Sequence, residues 1–411
     1  MTNPPLRRID EWGYRICYAF IIPINWLLTS IVRTHRDSHA LRVAHVSVLS
    51  TKPFIKTRVL RELGVRADYI VPRGRGWLKV GEPGCDRYLG MDGLPRFLRP
   101  FLECYYFWKE LIHYDIYHIH FLASFSESMW DVECLKKLGK KLIFHFRGCD
   151  IRDEETNDRK NPNLNCCQEC THDREYCAGK TIRMKREKAR RYGDVLLVTT
   201  PDLLDFVPDA THLPFMNIFL NPAVIPNLER DRSVVRIVHA TNHEGIDGTQ
   251  YIRDAVEALK RMGYPIDFLV VKRIPHIEAL ALYKSADICV GKLRQGYYSN
   301  FQIESMALGK PTLCYIRREF LEKLPSIPIV NTTPSTVFEN LKALLDDPNL
   351  RRNLGEQGKR FVRDYHDNQL IGRALLNMYE GLMRPDRHAD VSSTATRLIT
   401  LDAGEKKVAA Q

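Results

Sequence analysis

One carboxylate and four cations cluster in the last third of the chain, at a spacing that suits a phosphorylated ligand. Residues 287–311, DICVGKLRQGYYSNFQIESMALGKP, read as a strand, a loop and the start of a helix. The first-turn amides of a helix lack intrahelical partners and carry partial positive charge, so a diphosphate can bind there. Lys292 and Arg294 in the loop, with Lys272 and Arg273 after the preceding strand, supply further positive charge. Glu304 follows within a turn of the helix start. A carboxylate there accepts hydrogen bonds from a pair of hydroxyls such as a ribose diol, although a first-turn Glu also suits the helix dipole by itself. Tyr297, Tyr298, Asn300 and Phe301 stand where loop becomes helix and are candidate contacts for the rest of the ligand.

A second group lies near the middle of the chain, in FHFRGCDIR. His145 and Arg147 alternate along a strand and therefore share a face. A guanidinium does not act as a base, but it stabilises phosphate or leaving-group charge. His145 reads equally as a cleft residue or a core histidine. His118 and His120 in DIYHIHF also share one face and read as core or supporting groups. Lys52, just after the first strand, is placed to touch phosphate or acceptor. Four cysteines, Cys166, Cys167, Cys170 and Cys177, lie in the polar insertion 161–180. Cys167-x2-Cys170 has metal-ligand spacing, and Cys177 or His172 completes a tetrahedron, so a structural zinc is one reading and free thiols the other.

The elements that position these groups fall into two α/β halves. Strands are expected at 42–47, 68–71, 115–121, 141–147 and 195–200, then at 234–240, 268–271, 288–290 and 312–316. Helices are expected at about 125–138, 181–191, from 249, at 276–285 and at 301–308, with more from 335 to about 383. Short buried strands separated by helices imply open, doubly wound parallel sheets. The expected division is an apolar segment 1–41, a Rossmann-like acceptor domain 42–215, a linker 216–233, a Rossmann-like donor domain 234–365, a closing helix 366–383 and a disordered tail 384–411. Ligands of such sheets sit at the carboxyl ends of the strands, so the cleft between the halves is the expected site.

The segment E-S-M-A-L-G-K-P (304–311) resembles the donor-site motif E-A-M-A-x-G-x-P of retaining GT-B glycosyltransferases, the large family that includes sucrose synthases and mannosyltransferases. The resemblance spans about residues 42–383. It implies a nucleotide-diphosphate sugar donor, a ribose-gripping role for Glu304, retention of anomeric configuration and no catalytic metal. FHFRGCD resembles the family's H-x-H-G-x-D, which implies a site near the reacting sugar for His145, Arg147 and Asp150. Three departures stand out: Gly296 occupies the place of a sugar-contacting Glu, Asp247 that of a phosphate-binding Lys, and Arg147 that of the second His. They motivate an alternative, a GT-B-fold protein that binds or scaffolds without catalysis.

The net charge of +11 favours anionic partners. Eleven cysteines, an odd number mostly set singly in apolar runs, indicate a reducing compartment. Residues 16–32 are almost wholly apolar between Arg15 and Arg33, interrupted by Pro23, Asn25, Thr29 and Ser30, and with Trp12, Tyr14, Tyr18 and Trp26 they suit a membrane interface, a helix packed on the next domain, or a single span. The basic helix 181–191 suits an anionic lipid surface, and lacks the interleaved aromatics of a nucleic-acid binder. The expectation is a cytoplasmic enzyme, peripheral on the inner membrane face, acting on a glycan or lipid-linked acceptor and on no nucleic acid.

Overall fold

The computed structural model describes residues 4–31, 40–74, 84–91, 95–217, 222–323 and 327–384. The proposed tail after Arg384 lies outside them, as do the side chains of Trp12, Tyr14 and Tyr18. Seven parallel strands form the first sheet: β1 (Arg42–Val46), β2 (Arg66–Val71), β3 (Arg87–Tyr88), β4 (Ile116–His120), β5 (Lys141–Phe146), β6 (Val195–Val198) and β7 (Thr211–His212). Their spatial order is 3-2-1-4-5-6-7. Five more form the second sheet: β8 (Val235–Ala240), β9 (Ile266–Val271), β10 (Ile288–Val290), β11 (Thr312–Cys314) and β12 (Ile329–Asn331), in the order 12-11-10-8-9. Both orders reverse direction once, between β1 and β4 and between β8 and β10. Those are the points where doubly wound sheets open a crevice at their carboxyl ends.

The central strands are buried on both faces because helices cover both sides. Ala44, Val46, Ile119, Phe144 and Phe146 pack on one side of the first sheet, and Val43, Ile116, Ile143 and Leu197 on the other. The helix Asn368–Met383 joins that second layer through Ile371, Leu375, Met378 and Tyr379. The chain therefore ends its last described helix on the first domain, with Gly372 so close to Val59 that a Cβ would come within 2.4 Å of it.

The helix Thr51–Glu62 is absent from the expected elements. Its buried face contains Lys52 and Lys56 alongside Ile55, Val59 and Leu60, so polar residues interrupt the apolar stripe that would have marked it.

The first helix, Pro4–Ile31, packs on the next domain, one of the three readings of its sequence. Ile21, Asn25 and Thr29, four residues apart, are buried on the first domain. The Asn25 side-chain Oδ1 accepts from Trp108 Nε1 at 2.6 Å and from the Cys104 thiol at 3.2 Å. The other side exposes Phe20, Ile24, Leu27, Leu28 and Ile31. No helix among the described residues is long and apolar enough to cross a membrane.

Candidate active site in the interdomain cleft

On the C-terminal side, β10 ends in a tight loop that delivers the helix Asn300–Ala307. Gln302 closes the helix start: its Oε1 accepts from the Ser299 amide at 2.9 Å and from the Ser299 hydroxyl at 2.8 Å. Gly291 is packed directly beneath that side chain. Glu304 is partly buried, and its Oε1 lies 3.1 Å from His276 Nε2, at the start of the helix His276–Ser285. The two helices following β9 and β10 thus bring their first turns together. Nothing in the sequence joins residues 28 positions apart, so His276 was not among the expected site residues. The usable signal is topological, since these consecutive helices both begin at the carboxyl ends of β9 and β10, the two strands that flank β8 in one sheet.

The four cations expected around a diphosphate are arranged differently from one another. Arg294 is buried and turned toward the first domain, where its Nη2 donates to the Asn165 carbonyl at 3.0 Å and its Nη1 pairs with Glu169 at 2.8 Å. Lys272 pairs with Glu244. Lys292 Nζ donates to Gln295 Oε1 at 2.8 Å and lies 3.6 Å from Asp247. Arg273 is exposed after β9 with φ at +55°, an uncommon backbone state for a residue with a side chain. Asp247, where the related motif has a lysine, is buried and accepts from the Thr241 hydroxyl at 2.6 Å.

Tyr297 and Tyr298 stack on each other at 4.4 Å, buried, and Tyr298 Oη lies 3.1 Å from His366 Nε2. Phe301 packs on Tyr283. These three aromatics support the loop from beneath. Asn300 keeps a buried Oδ1 with no partner among the described residues. Gly296 has φ at +85°, and a Cβ there would stand 2.9 Å from Arg317 Cδ. A glutamate at this position would be strained and would clash, so the glycine departure is built into the loop.

The N-terminal side presents β1, β4 and β5. Arg147 follows β5; its Nη1 donates to Ser50 Oγ at 3.1 Å and its guanidinium stacks over Phe121. Burial lowers its pKa to about 10. Asp150 is buried, and its carboxylate accepts from the Arg147 and Gly148 amides at 2.7–3.0 Å. It folds the loop that carries Arg147. The basic helix Lys180–Tyr192 braces the same loop from outside, with Arg186 donating to the carbonyls of Asp150, Cys149 and Arg152.

His145 lies in the domain interior. His45, His118, His120 and His145 form one buried patch, because the register places His45 beside His118 and His120 beside His145. The hydrogen bonds form a directed relay. Tyr379 Oη donates to His118 Nδ1 at 2.6 Å, His118 Nε2 to His145 Nδ1 at 3.1 Å, and His145 Nε2 to Thr199 Oγ1 at 3.2 Å. Thr199 in turn donates to the Phe146 carbonyl, which sets the direction. All four imidazoles have lowered pKa values, burial being the largest cause. Among the described residues, His45, His118 and His120 alone bring three metal-ligating atoms within 4.8 Å of one another. Lys56 adds positive field at each ring, which opposes a cation there.

The insertion forms the side wall between the domains. Tyr315 Oη donates to Asn161 Oδ1 at 3.1 Å, Tyr251 Oη to Glu169 Oε1 at 2.8 Å, and Thr171 meets His243 Nε2 at about 3 Å. Gly245 lies against the Glu169 carbonyl. Cys166 and Cys167 contact each other through their thiols, and each described cysteine is free. Burial, with the neighbouring Cys170 thiol, pushes the Cys177 thiol pKa up, while His172 packs on His243.

No family model matches the sequence, and no curated protein matches it. Solved structures do. The chain is similar to sucrose-phosphate synthase from Thermosynechococcus elongatus, with TM-score 0.56 and 13% identity over 84% of this chain and 99% of that one. It is also similar to the MnaA–UDP co-structure from S. aureus, with TM-score 0.50 and 12% identity over 84% and 97%. The fold is GT-B: two Rossmann-like domains facing one cleft.

Proposed function

We propose that this protein is a glycosyltransferase that moves a sugar from a nucleoside-diphosphate sugar to a hydroxyl of a glycan or lipid-linked acceptor, with retention. The observation that carries the reading is Glu304. It sits on the first turns of a helix at the β8/β10 switch point, held by His276 and facing Lys52 across the cleft. A ribose diol donates to that carboxylate, and the diphosphate then falls at the helix start. In the transfer the bond from the anomeric carbon to phosphate oxygen breaks and a bond to the acceptor oxygen forms. The acceptor proton passes to the departing diphosphate, so the protein's work is orientation and charge neutralisation. UDP in the similar MnaA structure supports a nucleotide at this cleft. The direct test is a panel of UDP- and GDP-sugars with purified protein, reading nucleoside diphosphate release and sugar transfer. The expected result is turnover of at least one donor. Binding without turnover of any donor would favour a scaffolding role, and neither binding nor turnover would end the reading.

The exposed face of the first helix supports a membrane-surface acceptor. Phe20 is 68% exposed and Ile31 69%, and Phe97 and Leu98 on the short turn Arg96–Leu98, with Phe101 and Tyr105 on the helix Arg99–Lys109 that follows it, extend the apolar surface. Lys109 and Lys137 stand beside it, over the Tyr105 and Trp26 rings. Apolar rings with adjacent ammonium groups suit an anionic bilayer surface. The protein should float with vesicles containing anionic phospholipid. Leu27→Glu with Ile31→Glu, both at exposed positions, should cut the bound fraction at least tenfold. Wild-type protein that stays in solution would refute surface docking.

A further inference from the structure

We propose that Lys52, Lys56 and Arg147 form a receptor for a phosphate group, built where β1 gives way to the helix Thr51–Glu62 on the N-terminal side of the cleft. Lys52 and Lys56 are each only 3% exposed. The three cations lie within one another's electrostatic reach. None forms an ion pair with a described residue. Lys56 makes no hydrogen bond to any described residue either. Lys52 Nζ donates to the Met216 carbonyl and to Asn217 Oδ1, which leaves one of its three protons.

Burying like charges together without a counter-charge is costly. The carboxylates whose fields reach them are few. Asp150 is engaged by backbone amides, and Glu304 stands across the cleft on His276. Burial and the neighbouring charges lower the Lys52 pKa and take that of Lys56 down to about 7, so an anion placed among the three restores the charge that burial disfavours.

The surroundings are donors without partners. The helix Thr51–Glu62 begins at Ser50, whose side chain does not cap it and instead accepts from Arg147. The Thr51 and Lys52 amides of its first turn thus remain open, Pro53 having none. Ser47 Oγ, just after β1, and Asn217 Nδ2, on the amide that holds Lys52, are buried and have no partner among the described residues. Three cations, two backbone amides and two neutral donors match a dianion with three or four oxygens better than a planar carboxylate. The position, beside the β1/β4 switch point, is where such a sheet opens toward ligand. The donor domain adds to the case, since Lys272, Lys292 and Arg294 there already face Glu244, Asp247 and Glu169.

The phosphate arrives either on the donor or on the acceptor. That assignment rests on the glycosyltransferase reading, whereas phosphate binding itself does not. The test is calorimetric titration of the full chain with inorganic pyrophosphate and inorganic phosphate, for wild type, Lys56→Met and Arg147→Gln. Both variants should bind at least tenfold more weakly, with Lys56→Met unfolding at or above the wild-type urea midpoint because a buried charge has gone. Wild type that binds neither anion, or a folded Lys56→Met with unchanged affinity, overturns the proposal.

Titration with UDP and GDP separates the two sources. A tenfold loss for nucleoside diphosphate in Lys56→Met assigns the group to the donor. Unchanged nucleoside diphosphate binding, with phosphate no longer binding to the UDP-saturated variant, assigns it to the acceptor. Pyrophosphate binding by a wild type that ignores every nucleoside diphosphate would leave this receptor standing and remove the donor-site reading.

Discussion

Glu304→Ala should weaken nucleoside-diphosphate binding by roughly 30- to 150-fold, about 2–3 kcal/mol, while leaving pyrophosphate affinity unchanged. The magnitude follows from hydrogen bonds between hydroxyls and an ionised carboxylate held in place by His276. These bonds form away from bulk water, where losing the acceptor leaves donors unsatisfied. A nucleoside diphosphate lacking the ribose hydroxyls should bind wild type and variant equally, because the two deletions remove the same interaction. Calorimetry on the four combinations measures that coupling. A full and separate loss from each deletion would mean that Glu304 touches something other than the ribose. Glu304→Gln keeps one acceptor oxygen and should fall between the two.

The second large effect is acid sensitivity. Burial holds His45 at about 3 and His212 and His366 at about 4, and lowers His118, His120 and His145 as well. In the unfolded chain these groups titrate near 6.5. The native state therefore binds fewer protons than the unfolded state below that pH, and stability rises with pH through the window. The contribution is complete above about 6.5 and is lost as pH falls toward the native values. Each histidine that stays neutral costs roughly 1.4 kcal/mol per pH unit. His45, His212 and His366 alone would remove roughly 6 kcal/mol by pH 5, comparable with the whole stability of many domains. Urea midpoints at pH 7.5, 6.5 and 5.5 should fall steeply over the last step, and His45→Gln should flatten the dependence. A midpoint constant from pH 7.5 to 5.5 would contradict the neutral cluster.

The strands were legible because burial on both faces writes itself as short apolar runs. Ile288–Val290 and the helix His276–Ser285 match their expected bounds, and most other elements differ by one or two residues. The helix Thr51–Glu62 was not legible, since two buried lysines stand where a core helix has aliphatic residues. At the site, Glu304 was readable from its motif and from its place near a helix start. Arg294 was readable only as a cation near a loop. Its partners Asn165 and Glu169 lie more than a hundred residues away, and chain distance says nothing about which of two acidic neighbourhoods a guanidinium will meet.

The division between sequence and tertiary structure follows from the range of the forces involved. Local periodicity, turn residues and the 304–311 motif determine two doubly wound halves and a carboxylate at a helix start, because those features depend on residues within a few turns of each other. Which charges share a volume depends on how the two sheets, the insertion and the last helix close on one another. That closure turned Arg294 into an interdomain strut and placed His145 in a buried relay. It also gathered Lys52, Lys56 and Arg147 on the wall opposite Glu304. Electrostatic energy depends on separation in space and on burial, and the folded chain alone sets both.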